Sequence, residues 1–421
     1  MTTNRRDFLK SSLAGVGLVT CSLGAPAFLG RTAAAAPKAG KPGAKDTILV
    51  VIELTGGNDG LNTVIPYKDA EYAKLRPTLR QPQAQIKKIN DDLGLHPSLT
   101  GLAELLHDQA LCVVQGVGYP NPNQSHFRSM DIWQTASLAE SASEGWLGKA
   151  LKGLPGVPSF HLKSDNEPSP LALDGAPARV PSIKTLEEFQ LQVAASSGAD
   201  KKEQREIIES AAKSGGTSPA RSESDGSGLL DFVQRTATNT YASSRRLQEV
   251  GKNYQSKSAY PNTALGGRLK LAAQLIDAGL GARLFYVAHG NFDTHATQAP
   301  AHANLLTQLS EAVTAFFKDL SARGQRDRVL IMTFSEFGRR AKENGSRGTD
   351  HGSAAPMFLI GGKVKPGPVG EHPSLTKLEL GNLKHHTDFR QVYAAILDKW
   401  LGVPSKEVLG AEFKQVEVFK S

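Results

Sequence analysis

Two apolar runs decide the fold: residues 284–288 read LFYVA, and residues 329–334 read VLIMTF. Both predict buried strands, because they are short, continuous and rich in apolar and aromatic side chains. An Asp-x-His sequence starting at Asp293 follows the first run, and an Asp-His pair starting at Asp350 follows the second. Ligands of open α/β sheets bind where the carboxyl ends of strands meet. The sequence therefore predicts a site for one or two divalent cations at that edge.

Helix and strand patterns alternate along most of the chain. Further strands are predicted at 48–52 and 111–114, and helices from Pro97 onward, at 125–135, at 266–279, at about 305–320 and from Thr387 onward. This alternation predicts an α/β fold with a mostly parallel sheet sandwiched between helices.

The first 36 residues have the pattern of an export signal. The adjacent Arg5 and Arg6 precede a Gly/Ala-rich apolar run, and small residues favour cleavage after Ala36 or, as a second choice, after Ala27. The paired arginines predict export by the twin-arginine machinery, to the periplasm or the medium. A membrane anchor is the alternative, but Pro26 and several glycines make a poor stable membrane span.

The composition limits the classes of substrate and partner that the exported chain is expected to bind. Removing the leader takes four basic and one acidic residue from totals of 49 and 41, which leaves 45 and 40 and a net charge of +5. A mildly basic surface favours an anionic ester substrate or an envelope polymer. Because no long basic stripe appears, no specific nucleic-acid partner is predicted. Cys112 is the one cysteine beyond the leader, so no intramolecular disulfide is expected.

One domain with an insertion is the predicted organisation. Residues 37–46 form a Gly-, Pro- and Lys-rich linker, and residues 47–421 form the domain. The insertion lies at about 188–228, where Ser/Gly-rich stretches flank a charged helical segment around Lys201–Lys213. Such a composition cannot build a core, which predicts a mobile insertion, with a lid as the alternative.

The predicted metal ligands follow strands at one sheet edge. Asp59 follows the strand at 48–52, where its carboxylate can reach a shared cation or can simply form a tight Asp-Gly turn. Asp293 and His295 are two residues apart, so both point to one face of extended backbone. Asp350 and the adjacent His351 can converge only from a loop, which nearby glycines allow.

Other polar residues near these strands are candidates for catalysis or support. Ser125 at a predicted helix start is either an ordinary cap or a nucleophile. His126 and Arg128 can orient an anion or face solvent, and Glu336 can serve as a ligand or as a base behind the ligands. Arg339 is interpreted as an oxyanion clamp, with a surface salt bridge as the alternative.

His289 is a further candidate ligand beside the strand at 284–288. A loop histidine that is simply hydrogen-bonded is the alternative interpretation.

Six ordered motifs carry a resemblance to a known family. They are Gly56-Gly-Asn-Asp-Gly-Leu-Asn62, Gln124-Ser-His-Phe127, Asn291-Phe-Asp-Thr-His295, Phe334-Ser-Glu-Phe-Gly-Arg339, Thr349-Asp-His-Gly352 and Thr387-Asp-Phe-Arg390. With the twin-arginine leader, they resemble the bacterial family known as domain of unknown function 1501. That family is in turn related to the alkaline phosphatase and sulfatase superfamily, which implies an alkaline-phosphatase-like fold.

The resemblance also implies roles for individual residues. It implies one metal held by Asp59, Ser125, Asp350 and His351, and another held by Asp293 and His295. Two features depart from the superfamily: its penultimate pair is usually Asp-x-x-x-His, and the sulfatase signature Cys/Ser-x-Pro-x-Arg is absent from the sequence. The expected cofactor is one or two divalent ions, zinc first, with manganese or calcium as alternatives.

The sequence hypothesis is an exported, metal-dependent hydrolase of phosphate or sulfate esters with Ser125 as nucleophile. A non-catalytic exported binding or assembly protein that keeps the fold is the alternative, and a nucleic-acid phosphodiesterase is a third. The order of these hypotheses depends on the resemblance and on the set of Asp, Ser and His residues.

Overall fold

The structure, a computed structural model, describes residues 46–186 and 253–420. Its strands are β1 (Ile48–Leu54), β2 (Val64–Ile65), β3 (Lys87–Lys88), β4 (Gly94–Leu95), β5 (Leu111–Gly118), β6 (Ser159–Leu162), β7 (Ser182–Ile183), β8 (Leu284–His289), β9 (Val329–Phe334), β10 (Ala355–Ile360), β11 (Gly367–Val369) and β12 (Thr387–Asp388). Its helices are α1 (Gly60–Thr63), α2 (Ala70–Leu75), α3 (Thr100–His107), α4 (His126–Thr135), α5 (Trp146–Lys152), α6 (Ala264–Asp277), α7 (Gln298–Ala322), α8 (Phe389–Ala395) and α9 (Ser405–Leu409). Short 3₁₀ turns lie at Gln83–Gln85 and Leu171–Leu173, and a π-helical segment at Ile396–Leu401 continues α8.

The central sheet is mostly parallel. Its nine strands run in the order β11-β5-β10-β9-β1-β8-β6-β7, with β12 also paired to β5. Strand β1 pairs in parallel with β8 and β9, and β6 pairs in parallel with β7 and β8. Strand β10 runs antiparallel to both of its neighbours, β9 and β5. The predicted α/β class with a mostly parallel sheet is confirmed.

Helices cover both faces of the sheet. The side chains of β1 alternate between the two layers: Val50 and Ile52 pack with apolar residues of α3, α6 and α7, whereas Leu49 and Val51 pack with those of α4, α5 and α8. All seven residues of β1 are buried, as expected for a parallel strand covered on both faces. Burial on two faces explains why every residue of β1 except Glu53 is apolar.

The sheet topology brings four connecting segments to one edge. Strands β1, β5, β8 and β9 share one direction, so the segments that follow β1, β5 and β8 leave from the same edge. Because β10 is antiparallel to β9, the connection at 335–354 both begins and ends at this edge. The segments at 55–60, 119–126, 290–298 and 335–354 therefore meet there, as the sequence predicts.

The main predicted strands match the structure to within a few residues, but several elements are not predicted. The helix expected at 266–279 is Ala264–Asp277, and the strand expected at 329–334 has those bounds. The sequence analysis leaves out strands β6 and β10, the short strands β2, β3, β4, β7, β11 and β12, and the short helices α1, α2, α5 and α9. Strand β10 contains Pro356, which normally argues against a central strand, and a register shift beside it accommodates the missing N–H group.

Several predicted segments lie outside the described residues. They are the export signal at 1–36, all of the linker except Asp46, and the insertion at 188–228. Across 46–186 and 253–420, no helix has both the length and the apolarity needed to cross a membrane.

Candidate functional site

Asp293 is the centre of a cluster of histidines at the convergent edge. Its Oδ1 atom lies 2.9 Å from His295 Nε2 and 3.1 Å from His351 Nε2, and its Oδ2 atom lies 3.4 Å from His126 Nε2. Burial alone would raise the pKa of Asp293, but hydrogen bonds from Arg339 and His351 outweigh it and lower the pKa to about 2. The carboxylate is therefore ionised at neutral pH and faces three imidazole nitrogens.

The backbone of Asp293 lies so close to Gly56 that position 56 requires glycine. Gly56 has a φ of +116°, and a Cβ atom added to it would lie 2.5 Å from the backbone nitrogen of Asp293. The Phe292 N–H group donates to the Thr55 carbonyl at 3.1 Å, which joins the segments that follow β8 and β1. Only glycine allows this close approach at that φ.

His126 is oriented by a buried carboxylate. Its Nδ1 atom lies 2.9 Å from Glu336 Oε1, and this hydrogen bond raises the pKa of His126. Glu336 is itself fixed, since the same oxygen accepts from Gly56 N–H at 2.8 Å and its Oε2 atom accepts from Ser335 Oγ at 3.1 Å. A carboxylate behind an imidazole leaves the far nitrogen free to act as a metal ligand.

His351 is held by a main-chain carbonyl. Its Nδ1 atom lies 2.8 Å from the Gln124 carbonyl oxygen, and a His351 that binds a metal through Nε2 would carry its hydrogen on Nδ1. The Nε2 atom then faces Asp293 Oδ1 and lies 2.9 Å from His295 Nε2. A β-bridge between His351 and Arg339 fixes the backbone of the loop at this point.

His295 completes the group from the exposed side. Partial burial lowers the pKa of His295, so the neutral imidazole predominates near pH 7. Its Nδ1 atom lies 3.9 Å from Asp350 Oδ1, and that oxygen accepts a hydrogen bond from Asn344 Nδ2 at 3.0 Å. Asp350 therefore lies behind His295, on the far side from Asp293.

Arg339 is buried beneath the cluster. Its guanidinium donates to the carbonyls of Gly56, Gly57, Phe292 and Thr349 and, at 2.7 Å, to Asp293 Oδ1. Its side chain is fully buried. The expected role of an oxyanion clamp does not fit this position, because each guanidinium nitrogen already has an acceptor and none faces solvent. A role in positioning Asp293 fits these contacts.

Asp59 lies apart from the cluster, in a buried ion pair. Arg76 donates to both of its carboxylate oxygens, at 2.5 and 2.9 Å, and the side-chain amide of Gln298 donates to Oδ2. Burial alone would raise the pKa of Asp59, but the charge of Arg76 outweighs it and lowers the pKa to about 2. The predicted role as a metal ligand does not match this environment, because both oxygens are already engaged.

Two further predicted residues have main-chain partners outside the cluster. His289 is buried, and its Nε2 atom is 3.1 Å from the Leu305 carbonyl oxygen. Arg128 donates to the Leu138 carbonyl at 2.6 Å. His289 is thus hydrogen-bonded, as in the alternative interpretation, but it is the last residue of β8 and does not lie in a loop.

Ser125 lies next to the cluster, immediately before His126 at the start of α4. It occupies the cap position, with φ −82° and ψ 128°, yet its side chain makes no capping hydrogen bond. Its N–H group donates to Asn123 Oδ1 at 2.8 Å, and the residue is exposed. The hydroxyl group of Ser125 is therefore not committed to the helix that it precedes.

The donor set and its spacing fit a divalent metal ion. Ligand atoms of His126, Asp293 and His351 all lie within 4.8 Å of one another, and His295 borders this group. With metal–ligand bonds of about 2.0–2.1 Å, neighbouring ligand atoms in a tetrahedral zinc site lie roughly 3.3 Å apart. The separations of 2.9, 3.1 and 3.4 Å around Asp293 need only small adjustments to reach this spacing.

A family model matches most of the chain. The model described as "Protein of unknown function (DUF1501)" matches residues 46–410. The chain belongs to this family. No curated protein matches its sequence.

Solved structures similar to this chain include a periplasmic domain, a lipoteichoic acid synthase and a sulfatase. The C-terminal periplasmic domain of EptC from Escherichia coli, in complex with Zn, is 11% identical, with 75% of this chain and 72% of that chain covered and a TM-score of 0.34. The lipoteichoic acid synthase LtaP from Listeria monocytogenes is 8% identical, with coverage of 82% and 75% and a TM-score of 0.33. The PsFucS1 sulfatase from Pseudoalteromonas sp. is 11% identical, with coverage of 89% and 74% and a TM-score of 0.35. These scores describe a distant likeness.

The roles of some residues in and beside the cluster are not evident from the sequence. The sequence analysis treats His126 only as an auxiliary residue, although its ligand atom groups with those of Asp293 and His351, and this group includes neither Asp59 nor Asp350. Arg76 was missed, because nothing in its local sequence indicates a carboxylate partner 17 positions earlier. The sequence signals for His126 are its position beside a serine at a helix start and its place in the motif Gln124-Ser-His-Phe127.

Proposed function

We propose that the chain is an exported, metal-dependent hydrolase of phosphate or sulfate esters. The observation that carries the proposal is the meeting of three imidazole Nε2 atoms around the Asp293 carboxylate. The far nitrogens of two of these rings are held by Glu336 and by the Gln124 carbonyl. Supporting partners of this kind are typical of histidines that bind metals.

His126, Asp293 and His351 would hold the ion, with His295 as a fourth ligand. A set of three imidazoles and one carboxylate favours zinc, and it also suits manganese better than calcium, which prefers oxygen ligands throughout. Such an ion supplies a positive charge that stabilises negative charge on ester oxygens and lowers the pKa of a bound hydroxyl group.

Ser125 is the proposed nucleophile. Its exposed hydroxyl group makes no capping bond and adjoins His126 in sequence. Attack by Oγ on phosphorus or sulfur forms a serine ester as the bond to the leaving alcohol breaks, and the hydroxyl proton ends on that alcohol. Water then hydrolyses the serine ester. Backbone N–H groups in the first turn of α4 stabilise the oxygens that carry negative charge during transfer.

The charge of the chain and its leader support the proposed location and substrate. The leader carries paired arginines, and the remaining residues have a net charge of +5. Both features agree with an exported enzyme that acts on an anionic ester or an envelope polymer. The twin-arginine machinery is the proposed export partner. It carries folded cargo, and such export suits a protein that binds its metal before it leaves the cytoplasm.

Metal content is the first test of the proposal. The mature protein, exported through its own signal and never exposed to chelator, is expected to contain about one tightly bound divalent ion per chain. The Ser125→Ala variant should lose turnover of phosphate or sulfate esters and keep its metal, whereas Ser141→Ala, at another exposed serine, should change neither. Full activity of Ser125→Ala would remove Ser125 from the mechanism and indicate a water nucleophile.

A non-catalytic exported binding protein is the second candidate function. The buried Arg339 and the paired Asp59 favour it, because two groups expected to contact metal or substrate are engaged inside the protein. Metal that is retained without turnover of any phosphate or sulfate ester would support this alternative. Turnover that disappears in Asp293→Asn would exclude it.

A further inference from the structure

The pair of Asp59 and Arg76 is fully buried at the end of β1. Both side chains have no exposed surface, and the guanidinium contacts both carboxylate oxygens. The amide of Gln298 donates to Oδ2, and the backbone N–H of Asn62 approaches Oδ1 at 3.4 Å. The Asp59 carboxylate therefore has a counter-charge and hydrogen-bond donors without any metal ion.

Arg76 also binds the connection between β9 and β10. Its Nε atom donates to the Ala341 carbonyl at 2.7 Å, and Nη2 donates to the Arg340 carbonyl at 3.0 Å. One guanidinium thus joins the segment after β1 to the segment that carries Arg339 and, further along, His351. A cation bound between those segments would join them in the same way.

Gln298 extends this link toward the histidine cluster. Its Oε1 atom accepts a hydrogen bond from Thr349 Oγ1 at 2.6 Å while its amide nitrogen donates to Asp59. Thr349 precedes Asp350 and His351 in sequence, and its carbonyl accepts from Arg339. A continuous chain of hydrogen bonds therefore runs from Arg76 to the loop that supplies His351.

A metal ion at Asp59 would have to displace Arg76. The displaced guanidinium would then remain buried without its partner, which is among the most costly arrangements in a protein interior. Burial of both side chains also leaves no open path by which a hydrated ion could approach the carboxylate. These costs favour a permanent ion pair over a site that exchanges metal.

We infer that Arg76 takes the place of a cation at Asp59, so that the chain binds a single divalent ion, at the Asp293 cluster. In this arrangement Asp59 and Arg76 are positioning residues, which hold the segments of the site together without contacting substrate. The inference rests on the proposed metal-binding cluster for its count of ions, but the pairing of Asp59 with Arg76 is separate from that cluster.

The first measurement is metal stoichiometry by mass spectrometry after dialysis against zinc or manganese. Wild-type protein and Asp59→Asn are each expected to hold one ion per chain, and Asp293→Asn is expected to hold none. Asp319→Asn, a buried carboxylate paired with Arg323 far along α7, controls for general destabilisation and should also hold one. Two ions in the wild type and one in Asp59→Asn would overturn the inference, because Asp59 would then be a ligand.

The second measurement is a double-mutant cycle on the urea midpoint, made without added metal. Asp59→Asn and Arg76→Met are each expected to lower the midpoint, and the double variant should lower it by much less than the sum of the two shifts. Additive shifts would overturn the inference, since the two side chains would then not be partners. If Arg76→Met fails to fold, Arg76→Lys replaces it in the cycle, and if Asp59→Asn fails to fold, Asp59→Glu replaces it.

The two measurements separate this inference from the proposed function. A wild type that binds no ion, together with strongly non-additive midpoints, contradicts the metal-dependent hydrolase and upholds Arg76 as the counter-charge of Asp59. One ion per chain with additive midpoints contradicts the role of Arg76 and leaves the hydrolase standing.

Discussion

Replacing Glu336 by glutamine should weaken metal binding without unfolding the protein. The buried carboxylate contacts His126 Nδ1 at 2.9 Å and the Gly56 N–H group at 2.8 Å. A glutamine oxygen can keep both contacts, so the change removes charge and leaves the shape almost intact. Because the carboxylate raises the pKa of His126, its loss makes the imidazole a weaker base and a weaker ligand.

The size of the effect follows from the kind of hydrogen bond that is lost. Exchanging a charge-assisted hydrogen bond for a neutral one costs about 1 to 2 kcal/mol. That cost corresponds to a factor of about 5 to 30 in the dissociation constant of the metal. The loss of metal affinity in Glu336→Gln should be largest near pH 8 and become smaller as the pH falls toward about 6. The reason is that protons compete with the metal for His126, and the wild-type His126 keeps its proton to a higher pH than the variant does.

Competition with a chromophoric zinc chelator measures this change. Glu167→Gln is the matched control, because Glu167 also contacts a histidine, at 3.1 Å from His161 Nε2. His161 lies in β6, which pairs with β8 on the side away from β1, so this contact is separate from the cluster. The control should bind zinc as tightly as the wild type. An affinity of Glu336→Gln within about twofold of the wild type near pH 8 would refute the reasoning, because Glu336 would then not tune His126.

Two further predictions concern stability. Burial lowers the pKa of His302 to about 4, so near pH 6.5 the unfolded chain binds a proton that the folded chain does not bind. Between pH 7 and 5, this residue should therefore lower the free energy of unfolding by about 2 kcal/mol. His302→Gln can keep the hydrogen bond to Asn58 and should make the urea midpoint depend less on pH. An unchanged slope would contradict this assignment. Gly57→Ala should cost about 2 to 4 kcal/mol, because Gly57 has a φ of +80° and an added Cβ would lie 2.4 Å from Phe337. Gly156→Ala, with a φ of +77° and open space around it, isolates the backbone part of that cost in the same thermal or urea unfolding assay, and equal losses at both positions would contradict the clash.

The fold was largely predictable from the sequence because its main strands are buried on both faces. Such strands appear as continuous apolar runs, and the polar residues directly after them mark one edge of a parallel sheet. Asp293 and His351 could therefore be expected near each other although 58 positions separate them. Strand β10 was harder to predict, since Pro356 interrupts its pattern.

The composition of the site was less predictable, because it depends on distant partners. The turn around Asp59 has the same local sequence whether its carboxylate faces a metal or Arg76. Arg339 follows β9 like a residue that contacts substrate, yet the four carbonyls around it come from loops whose packing no local pattern reveals. His126 also has an ordinary helix-start sequence, and its contacts with Glu336 and Asp293 distinguish it.

The span of the site along the chain has a consequence for biosynthesis. The Gly56 N–H group and Glu336 are 280 positions apart, and Arg339 reaches back 282 positions to Gly57. Contacts of such long range form slowly and late in folding. A nascent chain has no such cluster until residue 351 has left the ribosome and the sheet has closed from β1 to β9. Assembly of the cluster is therefore a sign that translation and folding of the sheet are nearly complete.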